Sequence, residues 1–298
     1  LPTTKRVSGD GLYLSLVYVC LAFVLVITFY PFWNILVLSL NSADDSVRGG
    51  IYLWPRVLSF ASYRQILADS EILNGVKVTV IRTLAGTPLT VLVISLLAFA
   101  LSKKELVGGR ALSLFFIFTM YFGGGLIPYY MILKTVHLID TFAVYIFPNL
   151  MNVFYVIIVR TFMQELPPEV EESAKIDGAN DLQIFARVIL PICVPVLVTI
   201  GLFSAINQWN SWFDSYVFTY KPSLKTLQAV LVKILNQYQT DSFTSEAGRM
   251  ADSSKRLAVS SDTIRMAATM VATLPIIAVY PFLQRYFVKG MTLGAVKS

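Results

Sequence analysis

Six apolar stretches, each long enough to cross a bilayer, constrain this chain more than anything else in it: Leu12–Leu40, Val76–Leu101, Ala111–Leu133, Phe142–Met163, Ile189–Trp212 and Ile264–Phe287. About 20 apolar residues in a helix match the hydrocarbon thickness. Backbone groups in lipid must be paired within the segment, so helices are the expected spanning form. The fold class that follows is an all-α integral membrane protein, six transmembrane helices in a single domain over 1–298. Composition agrees, with 56% hydrophobic and only 14% charged residues, where soluble domains carry about 25% charge. The first stretch is longer than a signal-peptide core and has no small-residue cleavage pattern beside it, so it is expected to be a transmembrane helix, kinked or leaving the membrane early at Pro31. No internal repeat or low-complexity linker divides the chain.

The third stretch holds Gly123-Gly124-Gly125 followed by Pro128. Irregular backbone at membrane depth survives only where protein or a water-filled cavity covers it. Two readings stay open there: tight helix packing through small residues, or a pivot lining a pathway. Lys5, Arg6, Lys103, Lys104, Arg110, Lys289 and Lys297 fall on one side of the spans, which predicts cytoplasmic N- and C-termini. The opposite side also carries basic residues, such as Arg48, Arg56, Lys221 and Arg249, but in longer loops where that rule weakens.

Several classes of function are disfavoured by what the chain lacks. The net charge of +6 suits Lys and Arg beside anionic lipid headgroups. The aromatics lie in or beside apolar runs rather than in a basic patch, so no nucleic-acid partner is expected. His137 is the single histidine and reads as a loop residue; Cys20 and Cys193 both lie in apolar runs. Neither a metal cluster nor a histidine-based triad can be assembled from them. A secondary transporter would place acids inside its spans, and a membrane-embedded enzyme would need catalytic groups there; the six stretches contain no Asp or Glu. Lys77, Arg82, Arg160, Arg265 and Arg285 lie toward span ends and are expected to snorkel to the interface.

The most polar stretch between two spans is "EESAKIDGAND", Glu171 to Asp181, within a loop over about 164–188. Pro167 and Pro168 suit a first helical turn, the acids Glu169, Glu171 and Glu172 favour its positive end, and Gly178 suits its stop. A second short helix fits Asn180 to Leu190, capped by Asn180 or Asp181. Val170, Ala174, Ile184, Phe185 and Val188 give the pair apolar faces. A membrane-surface helix would carry a basic polar face; this one is acidic, which favours a protein partner.

The stretch "EESAKIDGANDLQIFARVILP" resembles the EAA motif of ABC-importer permeases, with Glu172, Ser173 and Ala174 at the E-A-A positions, Gly178 at the glycine, and Leu190 and Pro191 at the later L-P. Ser173 stands where alanine is usual. "AFALSKKELVGGR" (Ala98 to Arg110), "GGLIPYYMILKTVHLIDT" (Gly124 to Thr141), "NQWNSWFDSY" (Asn207 to Tyr216) and "VKGMTLGAVKS" (Val288 to Ser298) are similar to further parts of the maltose-transporter type of carbohydrate permease. The Phe122–Pro128 stretch and "LKTLQAVL" (Leu224 to Leu231) resemble the branch that handles oligosaccharides and polysaccharide fragments.

This resemblance implies a permease subunit that moves oligosaccharides inward by alternating access across a bacterial cytoplasmic membrane. It implies a coupling helix held by a cytoplasmic ATPase subunit, with Glu171, Glu172, Ser173, Ala174, Asp177, Gly178 and Ala179 at that contact. The expected partners are a sister permease forming a heterodimer, two ATPase subunits that use ATP and Mg, an extracytoplasmic solute-binding protein facing the loop over 213–262, the sugar, and membrane lipid. The sequence has no G-x-x-x-x-G-K-[ST], so this chain is expected to bind no cofactor and hydrolyse no ATP itself. Asn149, Asn152 and Tyr155 on the fourth span, and Asn207, Trp209 and Asn210 on the fifth, carry chemistry that suits sugar contact. Asn149 and Asn152 are expected on one helix face by their i, i+3 spacing. The alternative for these six is interhelical hydrogen bonding with interfacial tryptophan. A short helix is expected at Leu224–Tyr238.

Overall fold

A computed structural model of the chain describes residues 8–46, 48–236 and 262–278. In chain order its helices are α1 (Ser8–Ser39), α2 (Ala61–Ala68), α3 (Ser70–Ser102), α4 (Gly109–Tyr121), α5 (Leu126–Thr135), α6 (Val153–Gln164), α7 (Glu169–Ile176), α8 (Asp181–Ile192), α9 (Val194–Asn210), α10 (Phe213–Phe218), α11 (Leu227–Asn236) and α12 (262–278). Among the described residues the only extended pairing is one isolated bridge, Asn41 to Leu58. The chain divides into two compact units, Leu1–Asp69 with Ile234–Thr273, and Ser70–Lys233 with Leu274–Ser298.

In the first unit, α1 runs on through Pro31 without the expected break. Its apolar window contains no buried residue, so that face is left for lipid or another chain. Beyond it, buried Asn41 organises the return of the chain. Its Oδ1 accepts from Val57 N at 2.9 Å, and its Nδ2 donates to Asp45 Oδ2 and Ser46 Oγ, each at 3.0 Å. An amide with donors and acceptor all satisfied can sit in the interior at little cost. Ser62 Oγ joins α2 to Thr263 Oγ1 of α12 at 3.1 Å.

In the second unit, 33-residue α3 is the central rod, buried at intervals from Ile72 to Leu101 and packed against α6 and α9. One end of this core gathers Ile94, Ala98 and Phe99 of α3, Val156, Val159 and Met163 of α6, and Leu197 and Ile200 of α9. At the other end the α11 backbone lies directly on α3: Leu227 N donates to Thr79 Oγ1 at 2.9 Å. Gly75 permits that approach, since a Cβ there would stand 3.0 Å from Leu227 Cα.

Three of the six expected spans are broken. The third bends by 117° between α4 and α5, at Gly123–Gly125, where Gly125 takes φ +86°. The fourth begins as 3-10 turns over Phe142–Asn149, in which Pro148 offers no N–H, and bends 44° into α6. Asn149 and Asn152 therefore do not share a helix face: Asn149 ends the 3-10 segment, and Asn152 caps α6 by accepting from Tyr155 N. The fifth meets α8 at 81° around Cys193, between Pro191 and Pro195, after a π-helical turn over Phe185–Ile189. Among the described residues, two single helices are long and apolar enough to cross a membrane, or up to five spans if each bent pair counts as one. The sixth expected span is seen as α12 to residue 278; its remainder to Phe287, the Val288–Ser298 tail, residues 237–261, Lys5 and Arg6 lie outside the described residues. The short helix expected at Leu224–Tyr238 is α11, preceded by a 3-10 turn at Pro222–Leu224.

Candidate functional site

The polar loop folds as two short helices with different terminal chemistry. Helix α7 opens behind Pro168 with Glu169, Glu171 and Glu172 in its first turn, where carboxylates favour the positive helix end. It closes at Asp177 with Gly178 at φ +82°, a left-handed turn that glycine enters without steric cost. Ala179 N then donates to Ala174 O and Gly178 N to Lys175 O, both at 3.0 Å, which satisfies carbonyls the helix would leave open. Helix α8 opens with a reciprocal cap: Gln183 N donates to Asn180 Oδ1 at 2.9 Å, and Asn180 N to Gln183 Oε1 at 3.0 Å.

This pair docks by its underside. Ile184, Phe185 and Ile189 are buried in the α3–α6–α9 core, with Ala174 and Ala179 packed against it. The outer side presents Glu172, Ser173, Asp177 and Gly178, all exposed, beside two apolar side chains in water, Ile176 at 86% and Leu182 at 69% exposure. Glu171 points the other way. Lys103, just past the end of α3, donates to its Oε1; Lys175 pairs with the same oxygen at 3.1 Å and reaches Glu105 at 3.9 Å. Burial alone would raise the Glu171 carboxyl, but the hydrogen bonds from Lys103 and Lys175 outweigh it and hold it below its ordinary value. Of the seven residues expected at the ATPase contact, the structure thus turns Glu172, Ser173, Asp177 and Gly178 outward, and Glu171, Ala174 and Ala179 toward their own subunit.

The second candidate region is a polar cavity of about 400 Å³ in the second unit. Asn149, Asn152, Tyr155, Asn207 and Asn210 all line it. Asn207 Nδ2 donates to Tyr155 Oη at 3.0 Å, and Asn149 Nδ2 to Tyr145 O at 3.1 Å. Trp209 lies elsewhere, in an apolar cavity of about 420 Å³ beside Val80, Leu84 and Pro275. Trp209 shares the face of α9 that carries Val198, Leu202 and Ile206, while Trp212 lies past the helix end, beyond extended Ser211, and lines the polar cavity with Phe213.

Arg82 also lines that cavity, and it does not snorkel. It is 0% exposed, so the expectation of an interfacial side chain fails. Its Nε donates to Gln208 Oε1 at 3.0 Å, its Nη2 and Nη1 reach Asp214 Oδ2 and Oδ1 at 2.6 and 3.2 Å, and its guanidinium lies 4.5 Å from the Tyr145 ring centre. A buried charge is tolerated when paired and hydrogen-bonded in this way. Arginine within an apolar helix was the available signal, since charges at such depth mark paired or functional positions. Lys103, Trp212 and Gln208 carried no such mark.

A family model described as "Binding-protein-dependent transport system inner membrane component" matches residues 66–293. The chain belongs to this family. It is therefore an all-α inner membrane component of a bacterial transporter of the ABC class, as its motifs led one to expect. It is 34% identical over 288 residues to the polygalacturonan/rhamnogalacturonan transport system permease protein YtcP of Bacillus subtilis (strain 168), covering 97% of this chain and 99% of that one. Protein LplC of the same organism is 34% identical over 91% of this chain and 90% of its own length. Among solved structures, a bacterial ABC transporter involved in the import of the acidic polysaccharide alginate aligns with a TM-score of 0.84 at 28% identity, over 96% of this chain and all of that one. A chain from a bacterial alginate ABC transporter in complex with alginate pentasaccharide-bound periplasmic protein has the same fold, with a TM-score of 0.58 at 13% identity over 92% and 93%.

Proposed function

We propose that this chain is the permease subunit of an ATP-driven importer for oligosaccharide fragments of polysaccharides. The observation that carries the reading is the outer side of the α7–α8 loop. Glu172 and Asp177 stand exposed beside Ile176 and Leu182, while the underside is anchored through Ile184 and Phe185 in the core. Exposed apolar groups among carboxylates on a docked, well-capped helix pair suit a groove with a basic rim on a soluble partner. That partner is a separate ATPase chain, present twice in the complex and using ATP and Mg, and it places the loop and both termini in the cytoplasm. One related permease, YtcP, is named for polygalacturonan/rhamnogalacturonan transport, and the polar cavity offers amides, a phenol and an indole to a sugar's hydroxyls and faces. A sister permease completes the pathway, and an extracytoplasmic binding protein delivers the sugar.

The test is ATP hydrolysis by the complete complex in lipid with its binding protein and a panel of acidic and neutral oligosaccharides, comparing wild type with Glu172→Lys. Sugar-stimulated hydrolysis in the wild type that is lost in Glu172→Lys is the expected result. Equal stimulation in both forms would remove Glu172 from the ATPase contact. No stimulation by any sugar would overturn the substrate class.

A further inference from the structure

We propose that Lys103 is a positioning residue that clasps α7 to the end of α3, so that the ATPase-facing loop and the cavity-lining helix move as one body. The inference rests on the coupling role proposed for α7 and adds the link by which that role reaches the cavity.

Two independent contacts make the clasp. The first is electrostatic: the Lys103 ammonium donates to the Glu171 carboxylate, which Lys175 also engages. Lys103 and Glu171 are mostly shielded, with side-chain exposures of 17% and 25%, so this pair is screened less than a surface pair. The second is aromatic: the same ammonium lies 4.1 Å from the Phe99 ring centre, and Phe99 packs on Phe185 of α8 at 5.2 Å. One lysine thus touches the charged group of α7 and the ring on which α8 rests.

What makes this more than a local tie is the helix it ends. Arg82 lies in α3, at the cavity, 21 positions before Lys103. At 1.5 Å per residue that is roughly 30 Å along the rod. A displacement of α7 pulls on α3 through Lys103, and α3 carries Arg82 together with its partners Gln208 and Asp214. Without the clasp, α7 retains its own ATPase contact through Glu172 and its neighbours but is held to the rest of the subunit only by the apolar underside and the exposed, long Lys175–Glu105 pair. Coupling then weakens although the partner still binds.

The experiment uses the whole complex in lipid vesicles and four forms of this subunit: wild type, Lys103→Met, Lys103→Glu, and Lys103→Glu with Glu171→Lys. Galacturonan oligomers are the transported probe, and the readout is molecules taken up per ATP hydrolysed. Hydrogen exchange at 169–181, measured on the same complexes, needs no sugar. Lys103→Met keeps the apolar stem over Phe99 and removes only the charge, which guards against a misfolded variant. The expected result is a fall of about fivefold or more in uptake per ATP for Lys103→Glu, the scale of a typical coupling between two sites. Exchange at 169–181 is faster in both single variants, and the double reversal restores both readouts in part, since Glu171→Lys sets a second ammonium beside Lys175. A merely structural bond would change the yield of assembled complex and leave the ratio alone. Wild-type exchange at 169–181 in Lys103→Met, an unchanged ratio in Lys103→Glu, or a double reversal no better than the single one overturns the clasp. Glu172→Lys in the same assay separates the two readings: if it uncouples while Lys103→Glu does not, the clasp alone fails; if neither matters, the coupling role of α7 fails with it.

Discussion

Arg82 and Asp214, 132 residues apart in sequence, form a two-point ion pair inside the second unit, with Nη2 to Oδ2 at 2.6 Å and Nη1 to Oδ1 at 3.2 Å. Asp214 opens α10, immediately after the fifth apolar stretch, so the pair ties the α9–α10 turn to the middle of the core helix. Gln208 and the Tyr145 ring occupy the remaining sides of the guanidinium. Arg82 also lines the polar cavity, so the pair is a strut beside it.

Breaking it from one side leaves a charge buried without its partner. Removing one member of such a pair typically costs ~3–5 kcal/mol. Asp214→Asn and Arg82→Gln are each expected to lower the thermal unfolding midpoint of the purified subunit clearly. The combined variant is expected to fall short of the sum, because neither orphaned charge remains. Full additivity, or a wild-type midpoint for Asp214→Asn, would show that the two side chains do not depend on each other.

Gly75 faces the α11 backbone so closely that a methyl group has nowhere to go. Leu227 Cα and N would stand 3.0 and 3.1 Å from the new Cβ, and that N–H is already bonded to Thr79. Backbone cannot rotate aside as a side chain can. Gly75→Ala, which would stabilise an open helix, is expected here to destabilise by about 1–3 kcal/mol. Gly11, with no atom near its Cβ position, is the control, and Gly11→Ala should be neutral or slightly favourable. Thermal unfolding of the two variants decides the matter; equal midpoints would count against the close approach.

How much of this was legible in the residues depends on the range of the interaction that decides each feature. The Gly178 stop and the Asn180 cap are local chemistry, and both stand where the sequence places them. Asn149, Asn152, Tyr155, Asn207 and Asn210 come together because two apolar stretches each bring amides toward one end. The helix breaks were less accessible. Pro148, Pro191 and Pro195 flank the breaks in the fourth and fifth spans, yet Pro31 and Pro88 sit inside unbroken helices. Proline marks where a helix can break, and packing decides whether it does. The partners of Arg82 and Lys103 lie 132 and 68 residues away, beyond any periodicity, and only the fold reveals them.

The Lys103–Glu171 pair gives the α7 loop a defined acid sensitivity. The Glu171 carboxyl is held below its ordinary value of 4.5, so the folded form binds its proton less readily than the unfolded chain does. The stabilisation is fully present above pH 4.5 and is lost as pH falls through the lowered folded value. Limited proteolysis at 169–181 should therefore stay slow at neutral pH and accelerate on acidification below that point. In Lys103→Met the same loop should be cut faster already at neutral pH, with a smaller further change in acid. An acid response of equal size in both forms would show that Lys103 does not set it.

Trp209 and Trp212 supply the sharpest test of the proposed sugar path beside α9. Trp212 lines the polar cavity and holds Tyr216 edge to face at 5.9 Å; Trp209 lines the wholly different apolar cavity with Pro275 and Ile276. An indole face beside Asn207 and Tyr155 can stack on a sugar ring while the amide and phenol bond its hydroxyls. Apolar surface removed from water contributes ~25 cal/mol per Å², so roughly 30–50 Å² of sugar C–H face on the indole contributes about 1 kcal/mol. Trp212→Leu is expected to raise the half-saturating sugar concentration for uptake by roughly threefold to tenfold, as that energy implies. Trp209→Leu should leave it near wild type and act on the unfolding midpoint instead, since only apolar packing is altered there. The reverse assignment of effects would place the sugar path on the other side of α9 and make the amide-lined cavity a purely structural network.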